Sequence, residues 1–183
     1  MKCGGTESRC PAARTVESMN FVFDTDVVST FGKLRRLELL QDLLAGSKFF
    51  ITPAGYDELL RARERGYDFI EYIFERKLFE VARLTDEESA SLEALEEERR
   101  ALGLAELEGI ALCKHRGSIF VTNDRGAKKI CDSHAVRFID LSMILKYLVV
   151  KGLLTAYELR QLIEVIERTD RVVIKDKDDI VEG

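Results

Sequence analysis

Asp24, Glu58, Glu106 and Asp124 are the residues of this chain whose types and placement could do chemistry. Asp24 closes the apolar run NFVF, and Asp124 ends the run SIFVTN. Both runs read as short buried strands. Glu58 and Glu106 each fall near the start of an expected helix. A carboxylate at a strand end lies at the rim of a sheet, and in open α/β sheets that rim binds ligands. Carboxylates that converge there repel one another unless a divalent cation joins them. Metal-dependent phosphodiester chemistry is the leading expectation.

Each acid also has a purely structural reading. Asp24 and Asp124 both stand where helix N-caps stand. Asp26 is the better-placed cap for the first helix, which leaves Asp24 in need of another partner. At the second site either Asn123 caps and frees Asp124, or the reverse. Glu106 shares a helical stripe with Gly109, Ile110 and Cys113, an uncharged face. Burying a carboxylate there costs roughly several kcal/mol unless it is paired or ligated. The alternative for Glu106 is a buried hydrogen bond or a contact with the helix-start dipole. Glu108 points elsewhere and is expected at the solvent or the rim. Glu58 sits beside Asp57, and each reads equally well as a surface charge.

The elements that must position these acids follow from the same pattern. NFVFD, KFFIT, SIFVT and VRFID read as strands, and LFEVARL as a further short one. Between them, Phe31, Leu34, Leu37 and Leu40 lie at helical spacing and predict one helix ending at Gly46. Thr52 and Pro53 form an N-cap and a first helical position. Thr85 with Glu88, and Thr155 with Glu158, fit capping boxes. The helix from Thr85 to Leu102 is very polar, so it packs one narrow side. The last stretch predicts two helices split near Gly152, then a frayed acidic end at DKDDIVEG. Strands alternating with helices predict a three-layer α/β/α fold with a mostly parallel, roughly five-stranded central sheet.

The chain has 183 residues, enough for one domain with a core. At 46% hydrophobic and 33% charged it reads as globular. A net charge of -5 excludes a uniformly basic nucleic-acid surface but permits a local patch. No apolar run is long enough to span a membrane, and the first residues lack a secretory h-region. A cytoplasmic location is expected. Cys3 and Cys10 lie in a Gly- and Pro-containing tail, Cys113 and Cys131 in the body, which is no compact disulfide framework.

The segments FVFDTDVVSTFGKLRRLELL, ITPAGYDELL, GLAELEGIALC and IFVTNDRGAKKI occur in an order that resembles the PIN-domain endoribonucleases, and among them the small VapC-type toxins. The resemblance covers roughly Asn20 to Leu148. It implies a PIN-like nuclease domain over 19–150; Gly4, Gly5 and Pro11 make 1–18 read as a flexible tail, and 151–183, which matches no motif of the family, reads as a C-terminal helical extension packed on the same domain. It matches the family's acids to Asp24, Glu58, Glu106 and the Thr122-Asn123-Asp124 strand end. It implies Asp24, Glu106 and Asp124 as ligands of Mg²⁺ or Mn²⁺, with Glu58 orienting a water or holding a second ion. Asp26, Thr122 and Asn123 become supports of those ligands. The implied substrate is RNA, cut internally to leave a 5′-phosphate. The implied partners are an antitoxin protein and a second copy of the chain. Cations for the RNA backbone are offered by Arg61 and Arg65, by Arg125, Lys128 and Lys129, and by Lys33, Arg35 and Arg36; each set also reads as a solvated face. This chain departs from the family pattern with glutamate at the third acid, Cys113 for alanine, and Asn-Asp at the fourth site.

Three alternatives stand beside this reading. Asp24-Thr25-Asp26-Val27-Val28 also resembles the first motif of haloacid-dehalogenase-type phosphatases, with Asp24 as nucleophile, Asp26 as acid/base and Thr52 as the hydroxyl. That reading leaves Glu58 and Glu106 without a role. Cys113, His115, Cys131 and His134 offer a zinc set, although residues two apart on a helix diverge. A catalytically silent PIN fold would serve as a binding module, with Leu153, Tyr157, Leu162 and Ile166 either covering the core or mediating self-association.

Overall fold

The computed structural model describes residues 19–98, 102–175 and 177–182. The expected tail over 1–18, with Cys3 and Cys10, lies outside the described residues, as does 99–101 of the polar helix. All five apolar runs form strands: β1 (Asn20–Phe23), β2 (Lys48–Ile51), β3 (Phe79–Val81), β4 (Ile119–Val121) and β5 (Phe138–Ile139). They make one parallel sheet in the order β3-β2-β1-β4-β5. Phe23 at the end of β1 is level with Ile51 of β2 and Val121 of β4. Parallel strands are covered on both faces, so they read as unbroken apolar runs rather than alternating ones. NFVF does so because Phe21 and Phe23 enter one core while Val22 enters the other.

On the first face the rings of Phe23, Phe49 and Phe79 cluster, with centroids 5.0 and 5.3 Å from Phe23. That core is closed by α1 (Thr25–Lys33), α2 (Leu37–Leu43), α3 (Pro53–Glu64), α4 (Phe69–Arg76), α8 (Leu141–Val150), α9 (Ala156–Asp170) and α10 (Lys177–Glu182). On the second face α5 (Asp86–Glu98), α6 (Leu104–Arg116) and α7 (Arg125–Ser133) close a smaller core around Val22 and Phe120. Gly109 decides how close α6 comes: a Cβ there would run into the Phe120 ring. The layers are therefore α/β/α, as the alternation of elements predicts.

The caps expected at Thr52, Thr85 and Thr155 form. Thr52 accepts from Gly55 N at 3.0 Å. Thr85 with Glu88, and Thr155 with Glu158, close reciprocal boxes. Two expectations are corrected. The single helix spaced on Phe31 to Leu40 is broken: α1 ends at Lys33, Arg35 takes a left-handed φ of 54°, and α2 restarts at Leu37. Arg35 carries no local turn signal; the bend lets Phe31, Leu37 and Leu40 all enter one core. The acidic end does not fray over 177–182, because Ile180 and Val181 of α10 are buried against α8 and α9. Among the described residues no helix is long and apolar enough to cross a membrane.

Candidate functional site

From β1 the chain builds outward through β2 to β3, and later returns to β4 on the other side of β1 before reaching β5. The carboxyl ends of β1 and β4 are thus the topological switch point, where an open parallel sheet leaves a crevice. Asp24 stands there. Its N–H donates to the Val121 carbonyl at 2.9 Å, which continues the β1–β4 ladder one step past the strand. The residue is only 5% exposed. One oxygen, Oδ2, accepts from the Thr122 hydroxyl at 2.9 Å. Thr122 is itself fully buried, and its Oγ1 accepts from Asp124 N at 3.1 Å.

The other acids arrive from helix starts. Asp124 caps α7, with Oδ1 accepting from Ala127 N at 2.7 Å. The cap therefore belongs to Asp124, and Asn123 is exposed. Glu58, one turn into α3, accepts at Oε2 from the Thr25 hydroxyl at 2.7 Å. Glu106 lies half-buried in the first turn of α6. Asp26 is corrected from its expected role: α1 begins at Thr25, so Asp24 holds the N-cap position, without a side-chain cap bond, and Asp26 is an exposed first-turn acid.

Charge shows that these groups share one rim. Burial pushes the Asp24 carboxyl up from 3.8 to about 7. The Thr122 hydrogen bond pulls the other way, while Asp26, Glu106 and Glu58 add repulsion. Glu106 is also raised, first by burial, then by Glu58, Asp124 and Asp26. A buried carboxyl held near 7 is a group lacking a counter-charge. The donors are hard oxygens, the chemistry that suits Mg²⁺ or Mn²⁺. They are gathered without being closed into a cage: among the described residues no three His, Cys, Asp or Glu side chains are arranged to hold a metal ion.

The same observation bears on the zinc set. Cys113 and Cys131 are buried free thiols. Burial pushes Cys131 up to about 12 and Cys113 well above its usual range. His134 faces Lys114 at 3.4 Å. No zinc site forms among the described residues.

A cleft of about 430 Å³ opens beside the acids, lined by Asp26, Lys33, Asn123, Asp124, Arg125 and Asp170 among others. Of the expected RNA-facing cations, Lys33 and Arg125 line this cleft. Arg61 and Arg65 are exposed on and just after α3. Lys128 is paired with Asp140 at 2.9 Å, Lys33 with Asp170 at 2.7 Å, and Arg36 with Glu38 at 2.8 Å.

Three site residues escape sequence reasoning. Glu108 is not solvated: it is 7% exposed, and its Oε2 accepts from Ala54 N at 2.9 Å, at the start of α3. The exposed N–H groups and dipole of that helix take the place of a cation. Its position within a buried stripe of α6 was the available signal. Thr25 holds Glu58, and its place between two aspartates hinted at it. Asp170 reaches the cleft wall from the end of α9, taking hydrogen bonds from Thr30 at 2.6 Å and Lys33 at 2.7 Å. No local signal marks it.

A family model described as a PIN domain matches residues 20–177, a span that runs through α8 and α9. No match to a curated protein is found. Among solved structures, the chain is similar to VapBC2 from Rickettsia felis, solved bound to a DNA fragment from its promoter, at 13% identity and a TM-score of 0.55. It is likewise similar to VapBC-1 from nontypeable Haemophilus influenzae, at 13% identity and a TM-score of 0.52. Each likeness covers 67% of this chain and 98% of the other. At that identity the likeness is one of fold.

Proposed function

The chain belongs to the PIN-domain family, and on that premise we propose that it is a Mg²⁺- or Mn²⁺-dependent endoribonuclease. Asp24, Glu106 and Asp124 are the ligands in this reading, and Glu58 orients the attacking water or holds a second ion. The observation that carries it is Asp24: a buried strand-end carboxyl raised to about 7, repelled by three neighbouring acids and given one hydroxyl donor. Glu88 and Glu108, as deeply buried, are held by Arg116 and by the start of α3, whereas no cation acts on Asp24. A divalent ion bound at such a set would supply Lewis-acid stabilisation of the phosphate and a more acidic water.

The chain's own residues do the positioning. Thr122 holds one oxygen of Asp24 and leaves the other for a ligand role. Asp124 commits Oδ1 to the α7 cap and keeps Oδ2 for a ligand role. Thr25 fixes Glu58, which sets the direction in which its second oxygen can take a proton from water. The fold shared with VapBC structures supports a further reading: this chain is the toxin of a type II pair, with an antitoxin protein partner; to this the family resemblance adds a homodimeric state. PIN membership leaves the phosphatase alternative without support. A silent binding module would keep the fold and lose the acids; here the acids are present.

The test is cleavage of a labelled single-stranded RNA with Mn²⁺, Mg²⁺ or chelator, in wild type and Asp24→Asn. Internal cuts that need metal and vanish in the variant are expected. A folded wild type that neither cuts nor gains thermal stability with Mn²⁺ would sink the proposal.

A further inference from the structure

We propose that the acidic cleft continues over α1 and α4 as a binding strip for single-stranded RNA, made of Lys33, Arg35, Phe69, Tyr72 and Arg76. The proposal rests on the ribonuclease reading and assigns the path by which a strand reaches the carboxylates. Lys33 joins the two regions. It lines the cleft, and its ammonium also lies 5.5 Å from the Phe69 ring centroid. Beyond it, Arg35 and Arg76 both lie over the Tyr72 ring, at 5.6 and 5.9 Å. Phe69, Tyr72 and Arg76 share one face of α4 by their spacing of three and four residues. Tyr67, 53% exposed, extends the aromatic surface, with its ring 5.9 Å from Phe69.

The strip is held beside the cleft by a close helix approach. A Cβ on Gly32 would lie 2.6 Å from Ile73 Cδ1 and 3.3 Å from Phe69 Cδ2. The α1 helix that starts next to Asp24 therefore carries α4 directly against it.

Charge separates this side of α4 from the other. On the other side Arg63 lies over Phe74 at 5.8 Å, but Glu71 neutralises it through two hydrogen bonds. On the strip side two of the adjoining acids are already engaged. Glu38 takes Arg36 and the Tyr72 hydroxyl, and Asp170 takes Thr30 and Lys33. Arg35 and Arg76 keep no carboxylate partner among the described residues. Asp68 and Glu75, four residues before and three after Tyr72, border this face as exposed acids and make no ion pair among the described residues. In a chain of net charge -5, two guanidiniums beside one ring and outside any ion pair among the described residues give this face local cationic character. Guanidinium planes and aromatic faces stack unpaired bases, and the free N–H groups take phosphate. Duplex RNA keeps its bases stacked within the helix, so the strip favours a single strand.

The test uses the full chain with chelator present, so that binding is read without cleavage. A labelled 20-mer of uridine is titrated against wild type, Arg35→Glu/Arg76→Glu, the milder Arg35→Gln/Arg76→Gln, and Arg63→Gln as the control on the neutralised side. Thermal melts report folding of each. The charge-reversed pair is expected to bind about tenfold or more weakly. The neutral pair should lower the salt slope by roughly 1.4, at about 0.7 per phosphate contact on a single strand. Arg63→Gln is expected to bind as wild type does. Folded pairs with unchanged affinity and slope would overturn the strip while leaving the ribonuclease reading intact. Pairs that lost only self-association or protein binding, with RNA affinity retained, would overturn it equally. A wild type that neither binds this RNA in chelator nor cuts it with Mn²⁺ would overturn both.

Discussion

Glu88 and Asp24 are both buried acids, 3% and 5% exposed, and their surroundings push them in opposite directions. Glu88 opens α5 on the smaller-core side of the sheet. Arg116 donates to both of its oxygens, at 2.6 and 2.8 Å, and Thr85 N donates at 2.8 Å. These bonds hold its carboxyl below the usual range, the Arg116 hydrogen bond most of all. Asp24 has one hydroxyl donor and three acids facing it, and is raised to about 7. Glu108 stands between them, buried without a cation but satisfied by a helix start. The difference teaches that burial alone does not mark a site in this molecule. What marks Asp24 is the missing counter-charge.

The largest expected effect comes from filling that gap with a neutral side chain. Asp24→Asn should lower RNA cleavage by roughly 10²–10³-fold or more, the scale of losing one electrostatic stabiliser. It should at the same time raise the stability of the metal-free protein at pH 8, by at most about 4 kcal/mol for a shift of about three pK units. Urea unfolding in chelator reads the second effect, and an unchanged or lower stability would mean that Asp24 is not strained by its neighbours.

The converse experiment breaks the satisfied pair. Arg116→Met strips the buried Glu88 of its partner and should cost roughly 3 kcal/mol, the low end for such a loss because Arg116 is partly exposed. Metal-dependent cleavage at a temperature where the variant is folded should persist. If cleavage instead collapsed while the fold held, the two regions would not be independent.

Opposite pK shifts give opposite pH dependences. Asp24 binds its proton more tightly folded than unfolded, so its contribution makes the metal-free protein lose stability as pH rises from about 4 to about 7, then level off. Glu88 is lowered, so its contribution is full above its ordinary value of 4.5 and fades as pH falls below it. Comparing wild type with Asp24→Asn in chelator from pH 4 to 8 isolates the first. Parallel curves for the two would remove the assignment to Asp24.

Smaller still is the effect of the single donor. Thr122→Val removes the hydroxyl that Asp24 and the Asp124 N–H share. A stability loss of about 1–2 kcal/mol is expected. Activity should fall by roughly ten- to a hundredfold, the range for a group that orients a ligand. Titrating Mn²⁺ by thermal shift should show weaker binding in this variant; equal affinity would assign Thr122 to the fold alone.

Much of this was legible in the residues. NFVF, KFFI and IFV could hardly be anything but strands covered on both faces, and a strand that stops at Asp24 or just before Thr122 delivers those groups to the rim. The caps at Thr52, Thr85 and Thr155 were legible because a hydroxyl that accepts from a backbone N–H three residues on is a local matter. The break at Arg35 was not, because no residue there demands a turn and only the shared core of α1 and α2 imposes it. Misplacing the start of α1 by a residue or two also exchanged the roles of Asp24 and Asp26.

By itself, then, the sequence determined the alternation of strands and helices, the parallel sheet they require, and which acids end up near strand ends and helix starts. Those are consequences of apolar period and capping, both written within a few residues. The tertiary structure alone decided which acids lack a partner. Glu108 and Glu106 lie two residues apart on α6, yet one meets the start of α3 and the other meets Glu58. Asp170 reaches Thr30 across 140 residues of chain. Electrostatic satisfaction depends on what lies within a few ångströms in space, and only the packed helices set those neighbours.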